Sequence, residues 1–100
     1  MPRTIWQYTL PRGERVSLEL PRDAQFLHLH QQNDTEVCLW FLADIREPRV
    51  TRYFLMITTE SKAPPLAARY LGTAHLHGGS LVVHVFEVDG GEEVQHSLLK

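Results

Sequence analysis

Short apolar runs recur along this chain about every ten residues, and a turn signal follows each of them. In the first run, Trp6, Tyr8 and Leu10 alternate with the polar residues Gln7 and Thr9. Such alternation indicates a strand with one buried and one solvated face, because successive side chains of a strand point to opposite sides. The sequence therefore predicts an all-β fold of about seven antiparallel strands, arranged as a small sandwich or a flattened barrel.

Turn signals between the runs predict how the strands connect. Residues 11–14 (PRGE), 33–34 (ND) and 78–79 (GG) each predict a hairpin. The run at residues 36–44 is almost continuously apolar, as expected for a strand that is buried on both faces. Residues 60–69 break the alternation and contain two adjacent prolines, so we expect a long irregular loop near residues 58–69. The predicted strands are residues 6–10, 16–20, 26–31, 36–44, 50–59, 70–77 and 80–88.

A chain of 100 residues, of which 43% are hydrophobic, is long enough for one domain with its own core. We expect residues 1–88 to form a single β domain and residues 89–100 to form a polar, flexible C-terminal tail. No apolar run approaches the ~20 residues that a membrane-spanning helix needs, so no membrane association is predicted. The single cysteine, Cys38, excludes an internal disulfide and favours a reducing compartment.

The charge distribution argues against direct nucleic-acid binding. The formal net charge is −2, and the basic residues are spread along the chain and do not form a cluster. A phosphate-binding surface needs a concentration of Lys and Arg on one face, which this pattern does not predict. The acidic excess lies at the C-terminal end of the chain, in Glu87, Asp89, Glu92 and Glu93.

Three histidines near the last predicted hairpin are candidate metal ligands. A two-residue turn at residues 78–79 would place Thr73 opposite His84. With that register His75, His77 and His84 share one face of the sheet, and three histidines can bind zinc. The same positions also suit histidines that pack on a half-buried strand and hydrogen-bond to a neighbour. We prefer the packing interpretation, so the sequence predicts no metal and no cofactor.

The same register argument applies to the predicted hairpin at residues 33–34. It places His28 opposite Leu39 and His30 opposite Val37. Because that face looks apolar, we interpret His28 as a core histidine whose hydrogen bonds are satisfied.

No catalytic constellation is recognisable in the sequence. Cys38 lies in mid-strand beside apolar neighbours, whereas a nucleophilic cysteine needs an exposed, electropositive setting. The chain contains no Gly-x-Ser-x-Gly, no phosphate-binding glycine loop and no Cys-x-x-Cys. We therefore predict that Cys38 is a buried small hydrophobe and that the protein is not an enzyme.

Several blocks, taken in order, resemble a known family. They are Ile5-Trp6, Cys38-Leu39-Trp40, Tyr70-Leu71-Gly72-Thr73 and His84-Val85-Phe86-Glu87. The chain resembles a family of small, uncharacterised proteins that are described as a domain of unknown function and occur in phage and prophage genomes. The resemblance implies a phage-related origin and a compact β-rich fold. We expect the protein to lie in the cytoplasm of a bacterial host. It carries over no catalytic or binding residue.

Small size, the lack of a catalytic motif and this resemblance together favour a non-enzymatic binding protein. In the first hypothesis, it contacts and occludes a host or phage protein, for example a component of host defence. Its acidic end would meet a basic surface on that partner. The candidate contact residues are Glu87, Asp89, Glu92 and Glu93.

Two alternatives stay open. In one, the domain is a virion or assembly component that packs into a symmetric array, and the protein is then located in the virion. In the other, it binds a small ligand, with residues 58–69 acting as a lid over Trp40 and His84. Exposed edges of small β domains often pair with each other, so a homodimer is also expected.

Overall fold

The computed structural model describes residues 2–60, 63–64 and 67–89, and seven β-strands account for most of them. The prediction of an all-β fold with about seven strands is confirmed. Within these described ranges, no helix is long and apolar enough to cross a membrane. The strands are β1 (Thr4–Thr9), β2 (Arg15–Pro21), β3 (Gln25–Gln31), β4 (Val37–Ala43), β5 (Arg49–Thr58), β6 (Arg69–Leu76) and β7 (Leu81–Val88).

The strands form two antiparallel sheets that pack face to face as a sandwich. The first sheet has three strands in the order β1-β4-β3, and the second has four in the order β2-β5-β7-β6. Side chains from the inner faces of both sheets form one core cluster. The Phe41 ring of β4 lies in this core, with its centre 5.9 Å from that of Tyr8 and 5.8 Å from that of Phe26. Both contacts are edge to face, the geometry that aromatic pairs prefer.

Residues 11–14 do not form the predicted hairpin turn. β1 pairs with β4 and β2 pairs with β5, so these residues cross from one sheet to the other. Two strands with one apolar face each can bury those faces side by side in one sheet or face to face in two sheets. Alternation alone does not distinguish these arrangements, and the prediction of a β1–β2 hairpin is wrong for this reason.

The hairpin between β6 and β7 has the predicted register, with Thr73 opposite His84. Its turn is tight, because His77, Gly78 and Gly79 all have positive φ. The φ of Gly78 is 66°, a backbone conformation that a glycine adopts without steric cost. The Ser80 N–H donates to the His77 carbonyl oxygen at 3.1 Å and closes the turn.

The predicted hairpin between β3 and β4 is present, but its register is shifted by one residue. Residues 32–36 connect the strands in place of a two-residue turn, with the Gln32 N–H donating to the Glu36 carbonyl oxygen at 2.8 Å, so that His28 lies opposite Trp40 and His30 opposite Cys38. Both histidines are exposed, and the centres of their rings are 6.3 Å apart. The prediction that His28 is a core residue is therefore wrong, since a shift of one residue exchanges the two faces of a strand.

One side of the sandwich is joined by contacts between its edge strands β3 and β6. The side-chain oxygen of Gln31 accepts the His75 backbone N–H at 2.8 Å, and the side-chain nitrogen donates to the His75 carbonyl oxygen. Gly72 permits the close approach, because a Cβ at this position would lie 3.3 Å from the Cβ of Leu29. The edge strands on the other side of the sandwich are β1 and β2.

Candidate functional site

A cleft of about 420 Å³ opens between the two sheets at the end where residues 11–14 cross. Its walls are buried or half-buried apolar side chains, and its mouth carries exposed polar side chains. The walls include Leu10, Val37, Met56, Leu76, Leu81 and Val83. The polar residues at the mouth are Arg12, Glu14, Thr35, Thr58 and His77.

The cleft follows from which side chains face inward at this end. In β5 the inward positions pass from Phe54, which is fully buried, to Met56, which is half-buried. In β7 they pass from the fully buried Val85 to Val83, which lines the cleft. Phe54 fills the middle of the sandwich with a rigid ring, whereas Met56 is unbranched and flexible and adapts to what lies beside it. The interior therefore changes from a packed layer to an open, adaptable one.

The mouth of the cleft presents two opposite charges on a fixed segment. The Met56 N–H donates to the Glu14 carbonyl oxygen at 2.8 Å, which holds this segment against β5. Within the part of the chain that the structure describes, the side chains of Arg12 and Glu14 have no hydrogen-bond or ion-pair partner. Both side chains are exposed, so they can contact a molecule that enters the cleft.

An ion-pair network closes the opposite end of the sandwich. Glu87 is only 6% exposed, and its carboxylate accepts hydrogen bonds from Arg52 Nε at 2.7 Å and from Arg69 at 2.6 Å. Arg52 also donates to the Ala24 carbonyl oxygen at 2.7 Å and lies 5.3 Å from the centre of the Phe41 ring. Burial alone would raise the pKa of Glu87, but the hydrogen bonds and charges of the two arginines hold that pKa below its usual value.

The predicted acidic contact surface is only partly formed. Glu87 is buried between the sheets, so the expectation that it is a solvated contact residue is wrong. Asp89 is exposed, as a contact residue must be. Glu92 and Glu93 lie outside the described residues. One sequence signal points to the burial of Glu87, because it has the same parity in β7 as the inward-facing Val83 and Val85.

The predicted ligand pocket over Trp40 and His84 is not formed, because the two residues lie in different sheets. Trp40 belongs to β4 and His84 to β7, and each alternates with core residues of its own strand. Both side chains therefore lie on outer faces of the sandwich, and neither lines the cleft. Of the predicted lid, Thr58 does line the cleft.

The three candidate metal ligands do not form a metal-binding group. In the described ranges, no set of three or more His, Cys, Asp or Glu side chains is arranged to hold a metal ion. The His84 ring is fixed instead by two hydroxyl groups. Its Nδ1 lies 2.9 Å from Thr73 Oγ1, and its Nε2 lies 2.9 Å from Thr59 Oγ1. His75 and His77 are exposed on the same hairpin.

Cys38 is fully buried, as predicted. Its sulfur lies 3.5 Å from Thr9 Oγ1 and 3.5 Å from the side-chain oxygen of Gln32. A thiol enclosed by such neighbours packs as a small side chain and is not accessible as a nucleophile.

Residues 1–96 match the family described as domain of unknown function (DUF7352), and the chain belongs to this family. No curated protein matches the chain, and no solved structure matches it. Family membership agrees with the resemblance to an uncharacterised domain, whereas the phage-related origin stays a prediction.

Proposed function

We propose that this member of the DUF7352 family is a non-enzymatic binding protein that holds a small, mostly apolar molecule in the cleft between its sheets. The observation that carries the proposal is a cleft of about 420 Å³ with apolar walls and a polar mouth. Ligand sites in proteins are concave, measure about 300–1,000 Å³ and are mostly apolar, with a few placed polar groups. The cleft meets each of these criteria.

The lining defines the class of ligand. Leu76 and Val83 offer apolar surface in the walls, and its burial contributes about 25 cal/mol per Å². At the mouth, the exposed guanidinium of Arg12 can bind a carboxylate or another anionic group. The ligand is therefore a small molecule with an apolar body and a polar end, which is anionic where it meets Arg12 and a hydrogen-bond donor where it meets Glu14.

This proposal follows the small-ligand alternative, at a different place in the fold. The hypothesis of an occluding protein partner depended on an acidic surface, and the burial of Glu87 removes one of its four residues. A phage origin, contact with a host or phage protein, a virion role and a cytoplasmic location stay predictions.

Binding of an amphiphilic fluorescent anion tests the proposal. The probe 1-anilinonaphthalene-8-sulfonate has an aromatic body and one anionic end, and its emission rises in an apolar site. We expect saturable binding to the folded protein and at least about tenfold weaker binding to Leu81→Trp. Leu81 is half-buried in the cleft wall, so a larger side chain there occupies the space of the ligand.

Val82→Trp is the matched control. Val82 is also half-buried and is adjacent in β7, but it points to the other face of the sheet. This variant should bind the probe as the wild type does, and thermal unfolding should show that both variants are folded. Equal binding by Leu81→Trp and the wild type would place the probe elsewhere and contradict the proposal.

A further inference from the structure

The turn between β6 and β7 places a histidine in a left-handed backbone conformation at the mouth of the cleft. His77, Gly78 and Gly79 follow one another with φ of 52°, 66° and 97°. Glycine adopts such values without steric cost, whereas a Cβ makes them less favourable. Strained residues of this kind cluster at ligand sites, where a side chain has to be held in one place. The strained backbone therefore draws attention to the side chain of His77.

Hydrogen bonds to the connection between β3 and β4 fix the backbone of this turn. The His77 N–H donates to the Asp34 carbonyl oxygen at 2.9 Å, and the Gly78 N–H donates to Asp34 Oδ1 at 3.2 Å. Asn33 braces the connection, because its side-chain oxygen accepts two backbone N–H groups at 2.8 and 3.0 Å. His77 is thus held on the β3–β6 side of the mouth, whereas residues 11–14 cross on the β1–β2 side.

The ring of His77 is available to a ligand. The side chain lines the cleft and is exposed, and among the described residues its imidazole has no hydrogen-bond partner. His84 differs, because both of its ring nitrogens lie 2.9 Å from threonine hydroxyl oxygens. A fixed backbone that carries a polar side chain without a partner is the arrangement expected of a binding residue.

The charge of the cleft lining depends on His77. Among the described residues that line the cleft, the side chains charged at pH 7 are Arg12 and Glu14, one positive and one negative. Protonation of the His77 imidazole therefore changes the formal charge of this lining from zero to positive. Histidine is the residue type that ordinarily changes its charge between pH 5 and 8.

We infer that His77 is a binding residue for the anionic end of the ligand, and that its protonation strengthens binding as the pH falls. The inference rests on the proposed function, because it concerns the same cleft. A protonated imidazole attracts an anion and donates a charge-assisted hydrogen bond to it. The ligand is then an amphiphilic acid that is ionised at these pH values, and its affinity follows the charge of one side chain.

Other charged groups near the turn do not supply the same pH dependence. Asp34 and Glu36 belong to the connection that the turn contacts. Arg12 and Glu14 belong to the segment that crosses between the sheets. Carboxylates and guanidinium groups ordinarily keep their charges between pH 5.5 and 8.

The remaining histidines of this hairpin face away from the cleft. His75 alternates with the buried Ala74 and Leu76 of β6, so it lies on the outer face of the sheet. His84 lies on the same outer face, opposite Thr73. His77 is therefore the histidine of the hairpin whose charge an anion in the cleft would meet.

Binding of 1-anilinonaphthalene-8-sulfonate at pH 8 and pH 5.5, in low salt, tests the inference. The sulfonate is ionised at both pH values, so a change in affinity reports on groups of the protein. We expect the full chain to bind the probe about threefold more tightly at pH 5.5, as one exposed ion pair would allow. His77→Asn should bind it equally at both pH values, because asparagine does not titrate and tolerates the left-handed conformation.

A second variant and a second probe serve as controls. His75→Gln removes an exposed histidine of the same hairpin from the outer face, so this variant should keep the pH dependence of the wild type. The probe N-phenyl-1-naphthylamine has the same aromatic body without the sulfonate, and the wild type should bind it equally at both pH values. Thermal unfolding at each pH should show that His77→Asn is folded, since His77 is exposed.

The outcomes separate this inference from the proposed function. The inference is wrong if Leu81→Trp blocks binding but the wild type shows no pH dependence, or if His77→Asn retains that dependence. Equal pH dependence with the uncharged probe would also overturn it, and this measurement needs only the wild type. In each of these cases the proposed function stands. Binding of the sulfonate that is not saturable, or that Leu81→Trp leaves intact, would contradict the proposed function and the inference together.

Discussion

At one end of the sandwich, β5 and β7 send Arg52 and Glu87 into the space between the sheets, and at the other end the same strands send Met56 and Val83. The first pair is joined by hydrogen bonds of 2.7 and 3.0 Å and is closed over by the rest of the fold. The second pair borders a cleft of about 420 Å³. Within a few residues, the same two strands thus border a closed, ion-paired end of the sandwich and an open, apolar one.

The two ends differ in what their side chains require in order to be stable. A buried charge is tolerated only when it is paired, because an unpaired charge in a low-dielectric interior is costly. The closed end is therefore sensitive to the loss of a single side chain. An open apolar cleft has no such requirement, and a side chain that grows into it displaces only solvent. Side chains at the open end can therefore change with little effect on stability.

Removal of Arg52 from the closed end should cause the largest loss of stability. Arg52→Met leaves the buried Glu87 carboxylate with one arginine, and we expect a loss of about 2–4 kcal/mol in the free energy of unfolding. The matched control is Arg69→Met. The Arg69 side chain is 67% exposed, so its loss should cost less than about 1 kcal/mol. Urea denaturation measures both losses. Equal losses would contradict the assignment of Arg52 as the main partner of Glu87.

One added methylene group should affect stability differently in the packed middle of the sandwich and in the cleft. Val85 is fully buried, at 0% exposure. Val85→Leu should therefore overpack the core and lower the free energy of unfolding by about 1–3 kcal/mol. Val83 faces the same way two residues earlier but lines the cleft, and Val83→Leu should change stability by less than about 0.5 kcal/mol. If the two variants lose the same stability in urea denaturation, the open end is as tightly packed as the middle.

A fall in pH should lower the free energy of unfolding by less than the removal of Arg52 does, because a protonated Glu87 retains some of its hydrogen bonds. The pKa of Glu87 is lower in the folded protein than its ordinary value of about 4.5 in the unfolded chain, so its ionised form contributes fully to stability well above that pH. That contribution is lost as the pH falls through the lower, folded pKa. Urea denaturation between pH 7 and pH 3 should therefore show a flatter decline in Glu87→Gln than in the wild type.

Some acid dependence should remain in Glu87→Gln. Hydrogen bonds from the Arg46 side chain and backbone also lower the pKa of Asp44. A decline with pH in the variant that matches the wild type would mean that Glu87 contributes nothing to it.

The strands themselves were predictable from sequence, because alternation and turn signals are local. Gly78 and Gly79 fixed both the β6–β7 turn and its register. The β3–β4 register was missed because the connection is formed by residues 32–36, whereas Asn33 and Asp34 indicate a two-residue turn. The pairing of β1 with β4 was missed because alternation does not show which strand lies beside β1. That pairing depends on contacts between residues that are distant in sequence.

The site was less predictable for a related reason. The charge of Glu87 suggested solvent, yet its two partners are 35 and 18 residues away in sequence and meet it only in the folded sheet. The cleft residues carry no motif, since Leu10, Val37 and Leu76 are ordinary core residues in sequence. What makes them a candidate site is the space that the fold leaves between them.

The link between Gln31 and His75 has a mechanical consequence. It ties the sheets together along the β3–β6 side, where the side-chain amide engages both backbone groups of one residue. A force that pulls β3 and β6 apart would load both of these hydrogen bonds at once, so this side of the sandwich should resist separation more than a single hydrogen bond would allow.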